Sequence, residues 1–443
     1  MNRIDLDREY IDIINANETL YCSDYLDAMD KVKASTAMYK GKPIPFLYMP
    51  KLYTQKDLER FTKLTDTLMT IIRKVIDRYI NYPAFREKFG FSELLEKLIL
   101  TQHGYNARVP MARFDIFYKD DGSFKFCELN ADGSSAMNED RELSRILSES
   151  IAFKEMSRKY DISSFELFDT WVEECISIFK EFNPEIQKPN VAIVDFNDTG
   201  SPNEFEVFRD SFEKNGYKTM IVDPRDLKYS HGKLYIDDMR IDIVYRRLVT
   251  RDLIERADEI PDFIQAAMEG KVCIVGPIKS QIIHNKVIFK ILHDKDTLEF
   301  LTEDEGQFIK DHIPLTAKFE GDEFDFDELT INRDEYILKP SDLYASRGVY
   351  AGRDFSAEQW KEKLLECHGK DYLIQEYYTP NKSDLVEFVE GKLKISKFNN
   401  ITGMYMYNEK LYGLYSRIGK NPIISGLHDC YTLPTFIVRD SRK

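Results

Sequence analysis

The segment RFDIFYKDDGSFKFCELNADGSS, Arg113 to Ser135, carries Arg113, Asp115, Glu128 and Asn130 in two alternating runs around an Asp-Gly dipeptide. Asp121-Gly122 in that setting signals a two-residue type I′ hairpin turn. With that turn Asp120 pairs with Ser123, and counting outwards puts Asp115 opposite Glu128 and Arg113 opposite Asn130, all on one face. Phe114, Ile116, Cys127 and Leu129 fall on the other face, an apolar set fit for a core. Two directly opposed carboxylates repel each other unless a cation sits between them. Carboxylates and an Asn carbonyl are hard oxygen ligands of the kind Mg²⁺ accepts alongside waters and substrate phosphates. The plainer alternative is a surface hairpin with a solvated polar face, and a three-residue loop would slip the register by one.

A metal with so few protein ligands invites a nucleotide, yet neither GxxxxGK[ST] nor GxGxxG occurs. HNKVIFKIL instead offers Lys286 on an otherwise apolar helix face, and YILKPSDLYASRGVYAG offers Lys339 at a strand end. A Ser/Gly loop with Ser341, Ser346, Arg347, Gly348 and Gly352 follows. A lysine ahead of a flexible loop suits charge contact to phosphates beneath a closing lid. In YLIQEYY, Gln375 and Glu376 end an apolar strand where the backbone can meet an adenine edge and a carboxylate a ribose. Lys286 snorkelling from a buried helix, and an ordinary surface loop, are the bland alternatives. Arg246 and Arg247 close the apolar run IVYRRL; ligands favour the carboxyl ends of such strands, so one of them is a candidate for an acidic substrate, with surface salt bridging as the alternative.

The elements that must position these residues follow from periodicity. Apolar residues from Leu58 to Tyr79 keep helical spacing over Thr54 to Ile80, and a shorter helix is expected around Ser92 to Leu100. Two more amphipathic helices follow the hairpin before NPEIQKPN breaks the pattern. VAIVDF, a helix to Gly216, KTMIVDP, IDIVYRRL and KVCIVGP then alternate as strands and helices of a small parallel α/β domain. KSQIIHNKVIFKILHD reads as one helix, followed by strands at EYILKP, YLIQEYY, LKISKFNNITGMYMY and KLYGLYSRI. Three sections are expected: 1–187, a helical region plus the metal-binding hairpin; 188–278, the parallel α/β domain; and 279–443, with both lysines, the lid loop and the C-terminal strands.

Composition restricts the function classes. At 443 residues and 43% apolar, the chain is long enough for more than one packed domain, since single cores stop growing near roughly 250–300 residues. The net charge of −15 disfavours sequence-independent nucleic-acid binding. No long apolar stretch and no export signal are present, so neither a membrane nor nucleic acid is expected as a partner and a cytoplasmic location is. Six scattered cysteines without a CxxC pair suit reduced thiols. Oligomeric state is open.

In this set the order along the chain is informative. It resembles the ATP-grasp superfamily, in which the two ATP lysines usually precede the metal carboxylates; here Asp115, Glu128 and Asn130 come before Lys286 and Lys339. That order is similar to the circularly permuted branch, and RFDIFYKDDGSFKFCELNAD resembles the R-F-D…E-x-N-A-D segment of the glutathionylspermidine synthetase type. The likeness runs from about Ala112 to Gly419, without an amidase domain ahead of it and with a lid poorer in glycine than the family's.

The resemblance implies an ATP-grasp fold of α/β class with α+β elements, using ATP and Mg²⁺, two ions. It implies ligation of a small-molecule or peptide carboxylic acid to an amine through an acyl phosphate. Lys286, Lys339, Ser346, Arg347, Gly348, Gln375 and Glu376 would hold the nucleotide, and Asp115, Glu128 and Asn130 the metal. Arg113 would contact the γ-phosphate or acyl phosphate, Arg417 in LYSRIG would stabilise the oxyanion, and Ser134 and Ser135 would meet the substrate. Two alternatives stay open: an ATP-grasp small-molecule kinase, and a nucleotide-binding regulatory protein without chemistry.

Overall fold

The structure is a computed structural model that describes residues 2–439 except 40, 199–201, 344, 345, 422 and 425–429. Helices dominate the first hundred residues. The longest, Gln55–Asn81, begins at Thr54, whose hydroxyl and the Asp57 carboxylate form a reciprocal capping box. Its apolar stripe (Phe61, Leu64, Leu68, Ile72, Val75) packs against Phe114, Ile116 and Leu414 of the main sheet.

That main sheet is antiparallel and six-stranded. Its order is Cys430–Leu433, Lys410–Gly419, Lys392–Tyr407, Met111–Tyr118, Phe124–Asn130, and the early half of Lys392–Tyr407 pairs with Lys382–Val389. The hairpin thus lies at one edge, with its central neighbour supplied from nearly three hundred residues further on. A second antiparallel sheet of four strands runs Thr316–Lys318, Tyr372–Glu376, Tyr336–Pro340, Tyr350–Ala351, backed by Trp360 and Leu364 of the helix Ala357–Cys367.

The third sheet is parallel, in the order Cys273–Val275, Ile243–Arg246, Val191–Val194, Thr219–Val222. Both faces are covered, as parallel sheets require: Val191, Ile193 and Tyr245 pack on Trp171 and Phe208, while Ala192, Val194 and Val244 share the core of the long helix. Between its strands the chain inserts a three-stranded antiparallel meander, Lys228–Ser230, Lys233–Ile236 and Met239–Ile241, which the sequence reading passes over. No helix among the described residues is long and apolar enough to cross a membrane.

Two expectations need correction. KSQIIHNKVIFKILHD is not one helix: Gln281–His284 and Val287–His293 are separated by Asn285 in an extended conformation. The Asn285 carboxamide accepts from the Val287 N–H, a local bond that competes with helix continuation. The hairpin loop is also not a two-residue turn, since Lys119 N–H bonds Ser123 C=O and Gly122 N–H bonds Lys119 C=O. Three residues, Asp120 to Gly122, make the loop, with Gly122 at φ +85° in the left-handed region.

Candidate active site

A three-residue loop alone would destroy the opposition of Asp115 and Glu128. Near the loop the register is indeed shifted, with Tyr118 opposite Phe124 and Ile116 opposite Phe126. A β-bulge then absorbs Cys127 as the extra residue, and beyond it Asp115 faces Glu128 and Arg113 faces Asn130. Cys127 therefore leaves the core face expected for it and lines the cavity, where burial pushes its thiol up to about 12 despite the nearby Lys339. A thiol so disposed is a poor nucleophile.

The bulge feeds one cavity of about 700 Å³ between the two antiparallel sheets. Arg113, Asp115, Glu128, Asn130, Ser134, Ser135, Lys286, Lys339, Ser346, Arg347, Gln375, Glu376 and Arg417 all line it. Gly348 does not; it sits in the lid turn at φ +69°, where a Cβ would lie 2.8 Å from the Tyr372 hydroxyl. Tyr344 and Ala345 of the lid segment lie outside the described residues.

Arg113 grips Asp115 in a fork, Nε to Oδ1 at 2.8 Å and Nη2 to Oδ2 at 3.0 Å, and its Nη1 donates to the Ser135 carbonyl at 3.0 Å. The Asn130 amide nitrogen donates to both carboxylates, at 3.2 Å to Asp115 and 3.3 Å to Glu128. The two acids are thus bridged by a hydrogen-bond donor, and one of them, Asp115, is neutralised by a guanidinium. Space for the fork comes from Gly403, opposite Asp115 on the next strand: a Cβ there would lie 2.8 Å from Arg113 Cδ and 2.9 Å from Asp115 Oδ1. Gly403→Ala is expected to overpack this point at a cost of about 1–3 kcal/mol, read as a lowered urea midpoint; an unchanged midpoint would show that the strands give way freely.

The break at Asn285 frees Lys286 from the helix face. Its N–H bonds Ser341 C=O at 2.9 Å, and its ammonium donates to Leu343 C=O at 2.7 Å, tying it to the root of the lid. Lys339, on the strand Tyr336–Pro340, donates to the Cys127 carbonyl at 3.3 Å, the very residue the bulge turns inward. Burial opposes ionisation of Glu128, but Lys286 and Lys339, helped by the Asn130 amide and Arg113, hold its carboxyl below the ordinary value. Burial likewise pulls the Lys286 ammonium below its usual range, with Glu128 resisting.

At the other rim of the smaller sheet, the Gln375 amide donates to the Thr316 hydroxyl at 2.8 Å and Glu376 pairs with Lys125 at 2.9 Å. The backbone of Tyr372–Glu376 is paired on both sides, and Tyr377 N–H continues the pairing beyond the strand by donating to Glu335 C=O at 2.7 Å. On the main sheet Arg417 donates to the Tyr415 hydroxyl at 3.3 Å; Arg113 and Arg417 both flank that ring, at 5.2 and 5.4 Å from its centroid.

Ser134 and Ser135 belong to a loop fixed from below. The Ser134 hydroxyl donates to Asn130 C=O at 2.7 Å. Arg246 and Arg247, expected as contacts for an acidic substrate, take other places: both are buried, neither lines the cavity, and neither lies in a surface salt bridge. Arg246 pairs with Asp132 at 2.6 Å, and Arg247 pairs with Glu204 at 2.9 Å and donates to the Ser134 carbonyl. They anchor the Asp132 to Ser135 loop to the carboxyl end of the parallel sheet. Glu139, Tyr415 and Gly403 went unsought in the sequence. Glu139 follows the ELNADGSS run by a few residues, but it opens the helix among other polar residues, Asn138, Asp140, Arg141 and Glu142, so nothing in the local pattern singles it out.

The donor set suits a magnesium ion. Oxygens of Asp115 and Glu128 converge within 3.3 Å of one point, the Asn130 amide, and turning that amide over would present a third oxygen. Among the described residues no group of three or more acidic, His or Cys side chains is arranged to hold a metal ion by itself. An ion held here completes its shell with water or phosphate oxygens, as Mg²⁺ habitually does.

No curated protein matches the sequence. Among solved structures, a glutathione synthetase-like effector from Globodera pallida, in apo form, superposes with a TM-score of 0.61 at 13% identity, over 94% of this chain and 97% of that one. A protein described as a gamma-glutamylcysteine synthetase from Methylobacillus flagellatus overlaps 84% of this chain and 87% of its own at 12% identity, with a TM-score of 0.41. The first superposition, over nearly the whole length of both chains, fits the two facing antiparallel sheets and the hairpin-before-lysines order: the fold is a circularly permuted ATP-grasp. A sequence match agrees independently, since the model of the glutathionylspermidine synthase preATP-grasp family covers residues 46–297, which span the hairpin, the anchored serine loop, the parallel sheet and Lys286. With more than half of the chain matched, the protein belongs to the glutathionylspermidine synthase preATP-grasp family.

Proposed function

We propose that the protein is an ATP-dependent carboxylate–amine ligase, forming an amide through an acyl phosphate and releasing ADP and phosphate. The observation that carries this reading is convergence in one cavity of two lysines, two opposed carboxylates and two arginines from both antiparallel sheets and the break at Asn285. Lys286 and Lys339 would take the phosphate charge beneath the lid, and Gln375 and Glu376 the base and ribose. Asp115, Glu128 and Asn130 would hold magnesium, which when bound neutralises charge on the phosphates.

Arg113 already spans from Asp115 to the Ser135 carbonyl, so it would orient the transferred phosphoryl group from the metal-bearing face. Arg417 lines the same cavity beside the Tyr415 ring that Arg113 also flanks, and would stabilise the oxyanion formed on amine attack. Ser134 and Ser135 would position the acid on their anchored loop. The family's name supports a thiol peptide as the acid and a polyamine as the amine.

The test is ADP and phosphate release with ATP and Mg²⁺ against a panel beginning with glutathione and spermidine, extended to other short peptides and amino acids. Release is expected only when acid and amine are present together, with mass spectrometry showing an amide. Phosphate release indifferent to the amine, or a stable phosphorylated acid as end product, would overturn the reading.

A further inference from the structure

An amine substrate of ordinary basicity reaches the site as an ammonium ion, which has no lone pair with which to attack. At pH 7 a simple alkylamine of pKa about 10.4 is free in only about one molecule in 10³. The ligase reading therefore needs a proton acceptor near Arg417, and the carboxylates of the cavity differ in their freedom to serve. Asp115 is forked by Arg113, Asp132 is paired with Arg246, and Glu376 with Lys125. Glu128 is held ionised between Lys286 and Lys339.

Glu139 is the exception. It lies in the first turn of the helix Met137–Ser148, lines the cavity, and makes no ion pair among the described residues; its hydrogen bond comes from the Tyr415 hydroxyl at 3.3 Å. The charged and titratable groups around it come from every neighbouring element: Arg417 and Tyr415 on one strand, Arg113 on the hairpin, Glu204 on the helix Pro202–Lys214, and Cys430 on the edge strand. Burial, reinforced by Glu204, outweighs Arg417, the Tyr415 hydroxyl and Arg113 and raises the affinity of this carboxylate for a proton. Arg417 acts on it electrostatically yet stands outside direct ion-pair contact, and the Tyr415 hydroxyl links the two, accepting from Arg417 and donating to Glu139, so both side chains bound the same part of the cavity.

We propose that Glu139 is the catalytic base of the amine half-reaction, an inference that rests on the ligase reading above. The R–NH₃⁺ substrate gives one proton to the Glu139 carboxylate, and the freed lone pair forms the N–C bond at the acyl carbon. Arg417 faces the oxygen that becomes negative. The bond from that carbon to the phosphate oxygen breaks, phosphate departs with the electron pair, and the second amine proton leaves with it as hydrogen phosphate. Glu139 then returns its proton to water.

Hydroxylamine separates this step from the rest, because it is largely unprotonated at neutral pH and attacks acyl phosphates without a base. Wild-type and Glu139→Gln protein are compared with ATP, Mg²⁺ and the best acid of the panel, beginning with glutathione, and with either spermidine or hydroxylamine. At pH 7 the variant is expected to lose about 10²-fold or more in kcat with spermidine, and to keep hydroxamate formation within about 3-fold, which also shows that it folds. The spermidine deficit should shrink about tenfold per pH unit as the free amine becomes abundant. Equal loss with both nucleophiles, or a loss confined to the KM for spermidine, overturns the base role while leaving the ligase reading intact. No hydroxamate from the wild type with any acid of the panel overturns both.

Discussion

Glu128→Gln is expected to lower ATP-dependent ADP release by about 10²–10³-fold while leaving the fold in place. The substitution keeps volume and hydrogen-bonding shape and removes only charge, and charge is what this position supplies. Glu128 faces Lys286 and Lys339, receives the Asn130 amide at 3.3 Å, and stays ionised against the effect of burial. Without it the candidate metal position keeps a single carboxylate, Asp115, already gripped by Arg113. Isothermal titration gives the signature. With Mg²⁺ present, ATP should bind the variant more weakly; in excess chelator it should bind as well or better, because an anion has been taken from beside the triphosphate. Full turnover by the variant would remove Glu128 from the mechanism.

The same substitution should alter acid stability in a defined direction. The folded-state pKa of Glu128 is depressed, so its contribution is present above the unfolded carboxylate value of about 4.3 and is lost as pH falls through the folded value. Lys286 is depressed too, so between its folded value and about 10.4 the unfolded chain binds the extra proton and stability rises with pH. In Glu128→Gln the first dependence disappears, and the second begins at lower pH because the ammonium has lost its counter-charge. A thermal denaturation series from acid to alkaline pH reads both.

How legible this site was in the sequence depended on how local each cause was. The hairpin's facing pairs were predicted correctly for a reason the structure replaces: the loop is a residue longer than expected, and a bulge at Cys127 removes the resulting slip. Alternation and turn residues are local, whereas a bulge is fixed by what packs on it, here Lys339 bonding the Cys127 carbonyl from 212 residues away. The break beside Lys286 was hidden for a related reason, since an Asn inside an apolar helical period is weak evidence of an end until Ser341 is seen bonding the next N–H. Gly403 carries no backbone signal, because its φ is ordinary; only the fork on the neighbouring strand excludes a side chain. Arg246 and Arg247 were placed at the right strand end and given the wrong partner, for ion pairs across sequence gaps leave no periodic trace. The large elements needed no such information: the capped helix Gln55–Asn81 and the apolar parallel strands follow from their own residues.

The anchoring of the serine loop leads to the largest expected effect on stability. Asp132→Ala should destabilise the protein by about 3–5 kcal/mol, because it strips the buried Arg246 of its carboxylate at 2.6 Å and the Thr250 N–H of its acceptor. What remains to Arg246 is carbonyl and hydroxyl oxygen, from Gly276, Leu248 and Thr250, which satisfies donors without balancing charge. The loop packs closely on the strand end beneath it: a Cβ on Gly133 would lie 2.8 Å from the Arg247 carbonyl. Removing both charges is a different perturbation. Replacing a buried ion pair with apolar side chains is often near neutral, so Asp132→Ala combined with Arg246→Met should recover most of the loss in a denaturant titration. Activity should not recover with it, since the Arg246 link is one of the contacts that fix the turn presenting Ser134 and Ser135 to the cavity, and a displacement of about 1 Å there costs on the order of 10²-fold. A double variant that regained stability and turnover together would show that the pair serves the fold alone.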